Sequence, residues 1–245
     1  METEVRPVGE FKEVGPRSDR EGALRDLPQP RHWIVVPATC ALSVLAFGLV
    51  VRGLPHFTAA EYQFDKMVAM HRTGFLDWVA FGLNNLFGVP TALWFAAALC
   101  LFLITGKKVL NALGLAASLI AGCGSCWVMK LLVDRQTGAG GPFWTNYYPS
   151  GHVSFAASLA IACYWAYYQT RWRHLVLVGS LFLVGLVSWS RLYLKVHYPT
   201  DVLASWVLTL AAAGFVAGVW NRFIPKLLRI YPQLGQRESG GDRVS

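Results

Sequence analysis

Residues 190–201 of the chain read SRLYLKVHYPTD and lie between two long apolar runs. Ionisable side chains at the ends of hydrophobic segments are costly and usually functional, and this stretch supplies four of them: Arg191, Lys195, His197 and Asp201. Asp201 follows His197 by four residues, so a near-helical backbone would let its carboxylate reach one ring nitrogen. The other nitrogen would then be free as a nucleophile or base, while Arg191 offers forked donors suited to phosphate. A cluster of solvated charges at a membrane interface is the alternative.

The composition indicates a polytopic membrane protein. The 245 residues are 54% hydrophobic and 15% charged, with a mean hydropathy of +0.39, whereas soluble domains carry about 25% charged residues. The ten Trp and nine Tyr suit membrane interfaces. The net charge of +8 comes without a long basic run, and many cations flank apolar segments. We therefore interpret the cations as topology signals rather than as a nucleic-acid surface.

Six apolar segments are each close to the length of about 20 residues that a transmembrane helix needs. We predict an all-α fold, a membrane helical bundle with six transmembrane helices at 33–51, 89–105, 109–133, 153–168, 175–189 and 202–220. The apolar segment 75–86 is expected to lead into the second span. In the polar connection 52–76, apolar residues and a histidine recur at helical spacing, which indicates either an interfacial helix or a plain loop. They are Phe64, Met67, Val68 and His71.

Charge and composition also predict the domain organisation and topology. Residues 1–31 are expected to form a disordered cytoplasmic tail, residues 32–221 the membrane domain and residues 222–245 a second cytoplasmic tail. The short turns 107–108 and 171–173 carry only Lys and Arg as charged residues, which places them on the cytoplasmic side. The loops 134–150 and 190–201 then lie together on the outer face.

Three patches of chemically active residues converge on that outer face. The first is residues 130–135 (KLLVDR), at the end of the third span, and the second is residues 148–152 (YPSGH), which open the fourth. The third is the stretch 190–201. Gly151 would let the backbone approach a ligand closely, and a helix N-terminus binds anions. The two histidines, His152 and His197, could divide the work of nucleophile and general acid, so the pattern predicts a phosphate pocket.

Two competing uses of these residue types are weaker. A metal site could draw on His152, His197 and Asp201, but three neighbouring cations would repel a divalent ion, and no His-x-x-x-His or Glu-rich pair is present. The sequence around Cys123 and Cys126 (CGSCW) has the spacing of a redox or cysteine-protease motif. It falls midway along an apolar segment, where small residues at a helix-packing face explain it better.

The second and third patches resemble motifs of a known family. Pro149-Ser150-Gly151-His152, and Ser190-Arg191 with His197 and Asp201 at fixed spacing, are similar to the second and third motifs of the type 2 phosphatidic acid phosphatase family. These proteins are integral-membrane lipid phosphatases. The resemblance extends over residues 33–220 and implies an acid phosphatase/vanadium haloperoxidase-like core.

The resemblance also implies a reaction that needs no metal or cofactor and passes through a phosphohistidine. His197 would attack phosphorus while Asp201 orients it, and His152 would protonate the leaving oxygen. The phosphate oxygens, where charge must be stabilised, would be held by Lys130, Ser150, the Gly151 N–H and Arg191.

The first family motif is incomplete in this chain. It runs from a Lys to an Arg-Pro pair seven and eight residues later, but Thr137 and Gly138 stand at those places. Arg135, five residues after Lys130, lies in the same loop. We therefore predict that Arg135 binds phosphate in place of the missing guanidinium.

The expected function follows from the resemblance and the membrane setting. The substrate would be a lipid phosphate or a polyprenyl diphosphate, such as undecaprenyl diphosphate or phosphatidylglycerophosphate, in contact with membrane lipids. A lipid phosphotransferase, and a non-catalytic lipid-binding or transport scaffold with a degenerate site, are the alternatives. A bacterial inner membrane with the site facing the exterior is the expected location, and the sequence leaves the oligomeric state open.

Overall fold

The computed structural model describes residues 27–135 and 146–231, and within these ranges every regular element is an α-helix. The all-helical class expected from the sequence is therefore confirmed over the described residues. The helices are α1 (Val35–Gly53), α2 (Pro55–Met70), α3 (Gly74–Leu86), α4 (Val89–Thr105), α5 (Val109–Val133), α6 (Gly151–Tyr167), α7 (Arg173–Tyr193) and α8 (Pro199–Ile230).

The lengths and composition of the helices make this an integral membrane protein. Among the described residues, α1, α5, α7 and α8 are long and apolar enough to cross a membrane, and the bent pair α3–α4 would make a fifth span. Helix α6 has 17 residues, or about 26 Å at 1.5 Å per residue, slightly less than the ~30 Å hydrocarbon core. The number of six spans stays a prediction.

A break separates α3 from α4, although the sequence suggested that the segment 75–86 leads into the second span at 89–105. The two helices are bent by 60° at this break. Pro90 causes it, because its ring has no N–H to donate to the carbonyl of Leu86 and would clash with that carbonyl; α3 ends at Leu86. Thr73 starts α3 by accepting a hydrogen bond from the Leu76 N–H at 3.4 Å.

Helix α6 lies at the centre of the bundle and packs against α5, α7 and α8. Its contact with α5 depends on Gly122, because a Cβ at that position would lie 2.0 Å from Ser158 Oγ and 3.1 Å from Thr209 Cγ2. Small residues of this kind let membrane helices approach closely. The close approach fixes α5, α6 and α8 relative to one another.

The 52–76 connection contains a complete helix, α2, as its helical spacing indicated and contrary to the plain-loop alternative. Leu54 precedes it in an extended conformation and Pro55 occupies its first turn, which is the favoured place for proline. Helix α2 packs on α7 and α1. It thereby brings the buried side chain of Glu61 to the same end of the bundle as the predicted pocket.

Both ends of the described chain meet near the end of α8. Leu27 is buried beside Trp165 and Trp220, and its N–H donates to Asn221 Oδ1 at 2.8 Å. Leu27 thus gains apolar burial and two hydrogen bonds through its backbone, although it falls in the tail expected to be disordered. The rest of that predicted tail, residues 1–26, lies outside the described residues, as do residues 232–245.

The stretch 190–201 is shorter as a loop than its sequence suggested. Helix α7 continues to Tyr193 and α8 begins at Pro199, so only residues 194–198 connect them. Arg191 thus lies in the last turn of α7 and Asp201 in the first turn of α8. These two side chains are therefore carried by helix ends, which position them more rigidly than a loop would.

Candidate active site

His197 lies in the short connection between α7 and α8, with its side chain almost fully buried. Its Nδ1 atom is 3.6 Å from Asp201 Oδ2, which is longer than a hydrogen bond, and such contacts often tighten only when substrate binds. The ring of Tyr147 meets the imidazole edge-on, with 6.2 Å between centroids. The carboxylate therefore faces Nδ1, so that Nε2 is the ring nitrogen left to act on a ligand.

Asp201 is fully buried and occupies the third position of α8. Its Oδ2 accepts the backbone N–H of Tyr198 at 2.8 Å, the usual contact of an acidic residue that folds back over a helix start. This capping contact, rather than a helical backbone at His197, brings the carboxylate to the imidazole. The near-helical backbone that would have allowed the same contact is absent at His197, because Tyr198 is extended and α8 starts only at Pro199.

His152 lies in the first turn of α6, directly after Ser150 and Gly151. A Cβ built on Gly151 would meet no heavy atom within 4 Å, so the space beside this helix start is open. Ser205 of α8 accepts the Ser150 N–H at 2.7 Å and donates to the Asp201 carbonyl at 2.8 Å. This serine fixes the start of α6 against the start of α8.

Two buried cations complete the cluster. Lys130 is 4% exposed and its ammonium donates to the Asn146 carbonyl, while Arg191 is 5% exposed and donates to Asn84 Oδ1. Both lie within electrostatic range of His152 and His197. Two desolvated cations beside two imidazoles favour an anionic ligand.

Three buried polar atoms of the cluster lack a hydrogen-bond partner among the described residues: Ser150 Oγ, Arg191 Nε and His197 Nδ1. Buried polar atoms are normally paired. Two of the three, the hydroxyl and the guanidinium nitrogen, are donors that a phosphate oxygen would satisfy. This pattern is independent of the sequence motifs and also indicates an anion site.

Arg135 makes different contacts from those that its predicted phosphate-binding role requires. Its Nη2 lies 2.5 Å from Glu61 Oε2 and its Nη1 lies 2.9 Å from Asp201 Oδ1. The guanidinium also stacks over the ring of Tyr198, with 4.8 Å from Cζ to the centroid. Both terminal nitrogens of the guanidinium therefore donate to carboxylates. Phosphate binding by Arg135 stays a prediction.

Burial and neighbouring charges shift the pKa of His197 down and the pKa of Arg135 up. Burial lowers the pKa of His197 to about 4, although the neighbouring Asp201 carboxylate opposes this shift. Burial also disfavours the charge on Arg135, but the charge of Asp201 and the ion pair with Glu61 outweigh it and raise the pKa of the guanidinium. His197 is thus held neutral and Arg135 charged at pH 7.

The break between α3 and α4 forms one side of the cluster. Asn84, near the end of α3, accepts from Arg191, and a Cβ built on Gly88 would lie 3.9 Å from His152 Nε2. Within the described residues, no group of three or more His, Cys, Asp or Glu side chains is placed to hold a metal ion. The missing Arg-Pro pair, at Thr137 and Gly138, lies outside the described residues.

Four residues with evident roles in this arrangement were not singled out from the sequence: Glu61, Asn84, Asn146 and Ser205. Each contacts a motif residue from a different part of the chain. Asn84 carried a signal, because an amide in an apolar segment is costly unless it is paired. Glu61 and Asn146 lie in polar segments, and Ser205 is a small residue within an apolar span, so none of the three gave a comparable indication.

Tyr148, which begins the second motif patch, is held by close packing against α1. The ring is fully buried and its hydroxyl donates to the Val44 carbonyl at 2.6 Å. A Cβ on Gly48 would lie 2.5 Å from Tyr148 Cε1 and 2.8 Å from Val133 Cγ2. The position of this ring therefore depends on the absence of a side chain at residue 48.

We expect Gly48→Ala to destabilise the protein by about 1–3 kcal/mol, the usual cost of overpacking. Gly53→Ala is the matched control in the same helix, because a Cβ at Gly53 meets nothing within 4 Å. Thermal unfolding of both variants in detergent measures the difference. Equal midpoints for the two variants would contradict the close packing of Tyr148 on α1.

Comparison with known proteins places these motifs in a family. The sequence model of the PAP2 superfamily matches residues 131–225, a range that contains Arg135, both histidines and Asp201. The matched range starts directly after Lys130. The matched range therefore covers the second and third patches of the predicted pocket.

Two related proteins are similar to part of this chain. Human dolichyldiphosphatase 1 is 28% identical over 149 residues, which cover 54% of this chain and 61% of that protein. The bacitracin transport permease protein BcrC of Bacillus licheniformis is 34% identical over 96 residues, covering 38% of this chain and 43% of that protein. The chain thus spans less than two thirds of the length of these relatives.

The fold has a solved counterpart. The crystal structure described as the first transmembrane PAP2 type phosphatidylglycerolphosphate phosphatase from Bacillus subtilis superimposes with a TM-score of 0.61 at 20% identity. The superposition covers 75% of this chain and 96% of that chain. The superposition shows a shared fold, and the sequence match shows that residues 131–225 of this chain are similar to the PAP2 superfamily.

Proposed function

We propose that this protein is a membrane phosphatase that hydrolyses a lipid phosphate or a polyprenyl diphosphate through a phosphohistidine on His197. The observation that carries the proposal is the buried His197–Asp201 pair beside Lys130 and Arg191, with donors that lack partners among the described residues. This combination offers a nucleophile and an anion site in one place at the end of an apolar helical bundle. Helices that contact lipid suit a substrate whose leaving group is a lipid.

In the first step, Nε2 of neutral His197 attacks phosphorus and the bond from phosphorus to the lipid oxygen breaks. His152 donates its proton to that oxygen, so a lipid alcohol leaves from a monophosphate, and a lipid monophosphate leaves from a diphosphate. Asp201 accepts the Nδ1–H of His197 and stabilises the positive charge that develops on the ring. The products of this step are phosphohistidine and neutral His152.

In the second step, water attacks the phosphorus of the phosphohistidine. His152 removes a proton from that water, the bond from nitrogen to phosphorus breaks, and inorganic phosphate leaves. His152 is then protonated again and His197 is neutral, which restores the starting state. The cycle is balanced with water as the only co-reactant.

The phosphate oxygens are held by groups that carry or direct positive charge. These are Lys130, Ser150, the N–H of Gly151 and Arg191. The negative charge spreads over the three equatorial oxygens in the transition state, where preorganised donors contribute most. The open space beside Gly151 is where we place those oxygens.

Two substrate classes have support from the relatives. The name of the human relative refers to a dolichyl diphosphate, and that of the Bacillus subtilis structure refers to phosphatidylglycerolphosphate. A polyprenyl diphosphate such as undecaprenyl diphosphate and a glycerolipid phosphate present the same phosphate group to the pocket. Both classes therefore belong in the first assay.

We further propose six spans, with α6 as the short one, both termini in the cytoplasm and the site on the outer side of a bacterial inner membrane. The cations in the turns 107–108 and 171–173 support this orientation. The starts of α6 and α8 lie at the opposite end of the bundle from those turns. The loops that carry the site would then face the exterior.

Phosphate release by purified protein in detergent tests the proposed function. The panel is undecaprenyl diphosphate, phosphatidylglycerophosphate, phosphatidic acid and diacylglycerol diphosphate, each with and without chelator. We expect release from at least one lipid and no effect of the chelator. Folded protein that releases phosphate from none of these lipids would contradict the proposal.

The depressed basicity of His197 predicts an acid-resistant enzyme. The neutral ring is the nucleophile, so on the acid side of the profile kcat/KM falls as the pH drops through about 4. We therefore expect the acid limb of the kcat/KM profile near pH 4. The titration of the substrate phosphate is measured separately by ³¹P NMR, so that it can be distinguished from that of His197. A limb near the ordinary histidine pKa of about 6.5 would contradict the buried, desolvated imidazole.

A further inference from the structure

We propose that Arg135 is a positioning residue that holds the Asp201 carboxylate against His197, and that Glu61 of helix α2 holds Arg135 in that place. The inference rests on the proposed function for its kinetic consequences. It assigns Arg135 a role different from phosphate binding, and it adds a residue of α2 to the machinery of the site.

The contacts of Arg135 are those of a clamp between two carboxylates. Nη1 donates to Asp201 Oδ1 at 2.9 Å and Nη2 donates to Glu61 Oε2 at 2.5 Å. The exposed fractions of the three side chains are 7% for Arg135, 6% for Glu61 and 0% for Asp201. A buried guanidinium with both ends on carboxylates is held in one orientation.

This clamp determines the orientation of the carboxylate. Asp201 Oδ1 is held by Arg135, while Oδ2 accepts the Tyr198 N–H and faces His197 Nδ1. Without Arg135, rotation of the carboxylate would be restrained by a single backbone donor. The distance from Oδ2 to the imidazole would then vary, and so would the tautomer that leaves Nε2 free.

The same three residues form a row of alternating charges behind the nucleophile. Glu61 is negative, Arg135 positive and Asp201 negative, and Thr200 adds a hydroxyl donor to Glu61. The negative charge of Asp201 favours the protonated form of His197. The positive charge of Arg135 reduces that effect, and the negative charge of Glu61 in turn reduces the effect of Arg135. Removing Arg135 or Glu61 should therefore change the basicity of His197 in opposite directions.

Other charged or titratable groups face His197 from each helix around it. They are Lys130 of α5, His152 of α6, Arg191 of α7 and Asp201 of α8. The two cations disfavour the imidazolium and are unchanged in the variants below. A difference between variants thus isolates the row formed by Glu61, Arg135 and Asp201.

The test compares the pH dependence of kcat and KM for Arg135→Gln, Arg135→Lys and Glu61→Gln on one lipid substrate. Arg72→Gln is the matched control, because Arg72 pairs with Asp77 at 3.0 Å in an ion pair that includes neither Glu61 nor Asp201. We expect Arg135→Gln to lower kcat by about tenfold or more with little change in KM, and to move the acid limb up by about one pH unit. Glu61→Gln should move the acid limb of the pH profile to lower pH. Arg135→Lys should keep most of the kcat that Arg135→Gln loses, and the Arg72→Gln control should match the unaltered protein.

The titration of the His197 ring, followed by NMR on ¹⁵N-histidine-labelled protein in detergent and assigned with His197→Ala, gives the same comparison without turnover. Opposite shifts for Arg135→Gln and Glu61→Gln support the proposal. A raised KM with an unmoved limb for Arg135→Gln would overturn it in favour of phosphate binding. Equal titration in all variants would overturn it as well, whereas unaltered protein that is inactive on every lipid would contradict only the proposed function.

Discussion

Replacing His197 with alanine abolishes phosphate release, with an expected loss of about 10⁴-fold or more in kcat. The loss is this large because the variant has no nucleophile, and the rest of the site contributes only binding and charge stabilisation. The measurement is phosphate release on the lipid that the unaltered protein prefers. Circular dichroism and gel filtration in detergent establish that the variant is folded.

His71→Ala is the control for this variant. His71 is an exposed histidine at the end of α2 whose ring contacts the Met67 carbonyl at 2.9 Å, and it belongs to no motif. We expect unchanged kcat and KM for it. Substantial activity in folded His197→Ala would rule out His197 as the nucleophile.

His152→Ala gives the second-largest expected effect, and its size depends on the leaving group. A general acid contributes about 10²- to 10⁴-fold, so release of a lipid alcohol should slow by that amount. Nitrophenyl phosphate has a leaving group that departs without a proton. The variant should therefore still transfer its phosphoryl group to His197 at close to the normal rate, and then stall because no base activates water.

The observable is a burst of nitrophenol equal to the enzyme concentration, followed by slow turnover. His174→Ala, at an exposed histidine paired with Arg173, is the control and should turn over normally. An equal loss for the lipid and for the nitrophenyl burst would contradict the role of His152 as the acid. The retained burst would also show that the variant is folded.

Much of the candidate site could be predicted from the sequence, because its main residues fall in short contiguous stretches. The spacing of His197 and Asp201 places them at one helix start, and the structure brings them to 3.6 Å. The route differs from the expected one. Asp201 reaches back as the capping residue of α8, and a four-residue spacing alone does not distinguish this from a continuous helix.

The contacts of Glu61 and Asn84 could not be predicted, because they depend on the tertiary fold. Glu61 meets Arg135 across 74 residues and Asn84 meets Arg191 across 107. The first contact requires α2 to lie beside the end of α5 and the start of α8, and the second requires the break at Pro90. In the sequence, Glu61 resembles any solvated charge on an amphipathic helix.

Arg135 shows that the sequence can place a residue in the site without showing which groups it contacts there. Its place after Lys130 identified it as part of the site, and it lies there. A cation in a phosphate pocket is expected to bind phosphate, but two buried carboxylates compete for the same donors. The sequence does not show that Glu61 is near enough to compete.

Trapping of the covalent intermediate tests the central claim most directly. The protein is mixed with its lipid substrate and quenched in alkali, which preserves phosphohistidine, and the modified residue is located by peptide mass spectrometry. The account predicts phosphate on His197 and none in His197→Ala. In His152→Ala it predicts a greater amount when nitrophenyl phosphate, whose leaving group needs no acid, replaces the lipid. Turnover with no phosphate on His197, or with phosphate on a different residue, would contradict it.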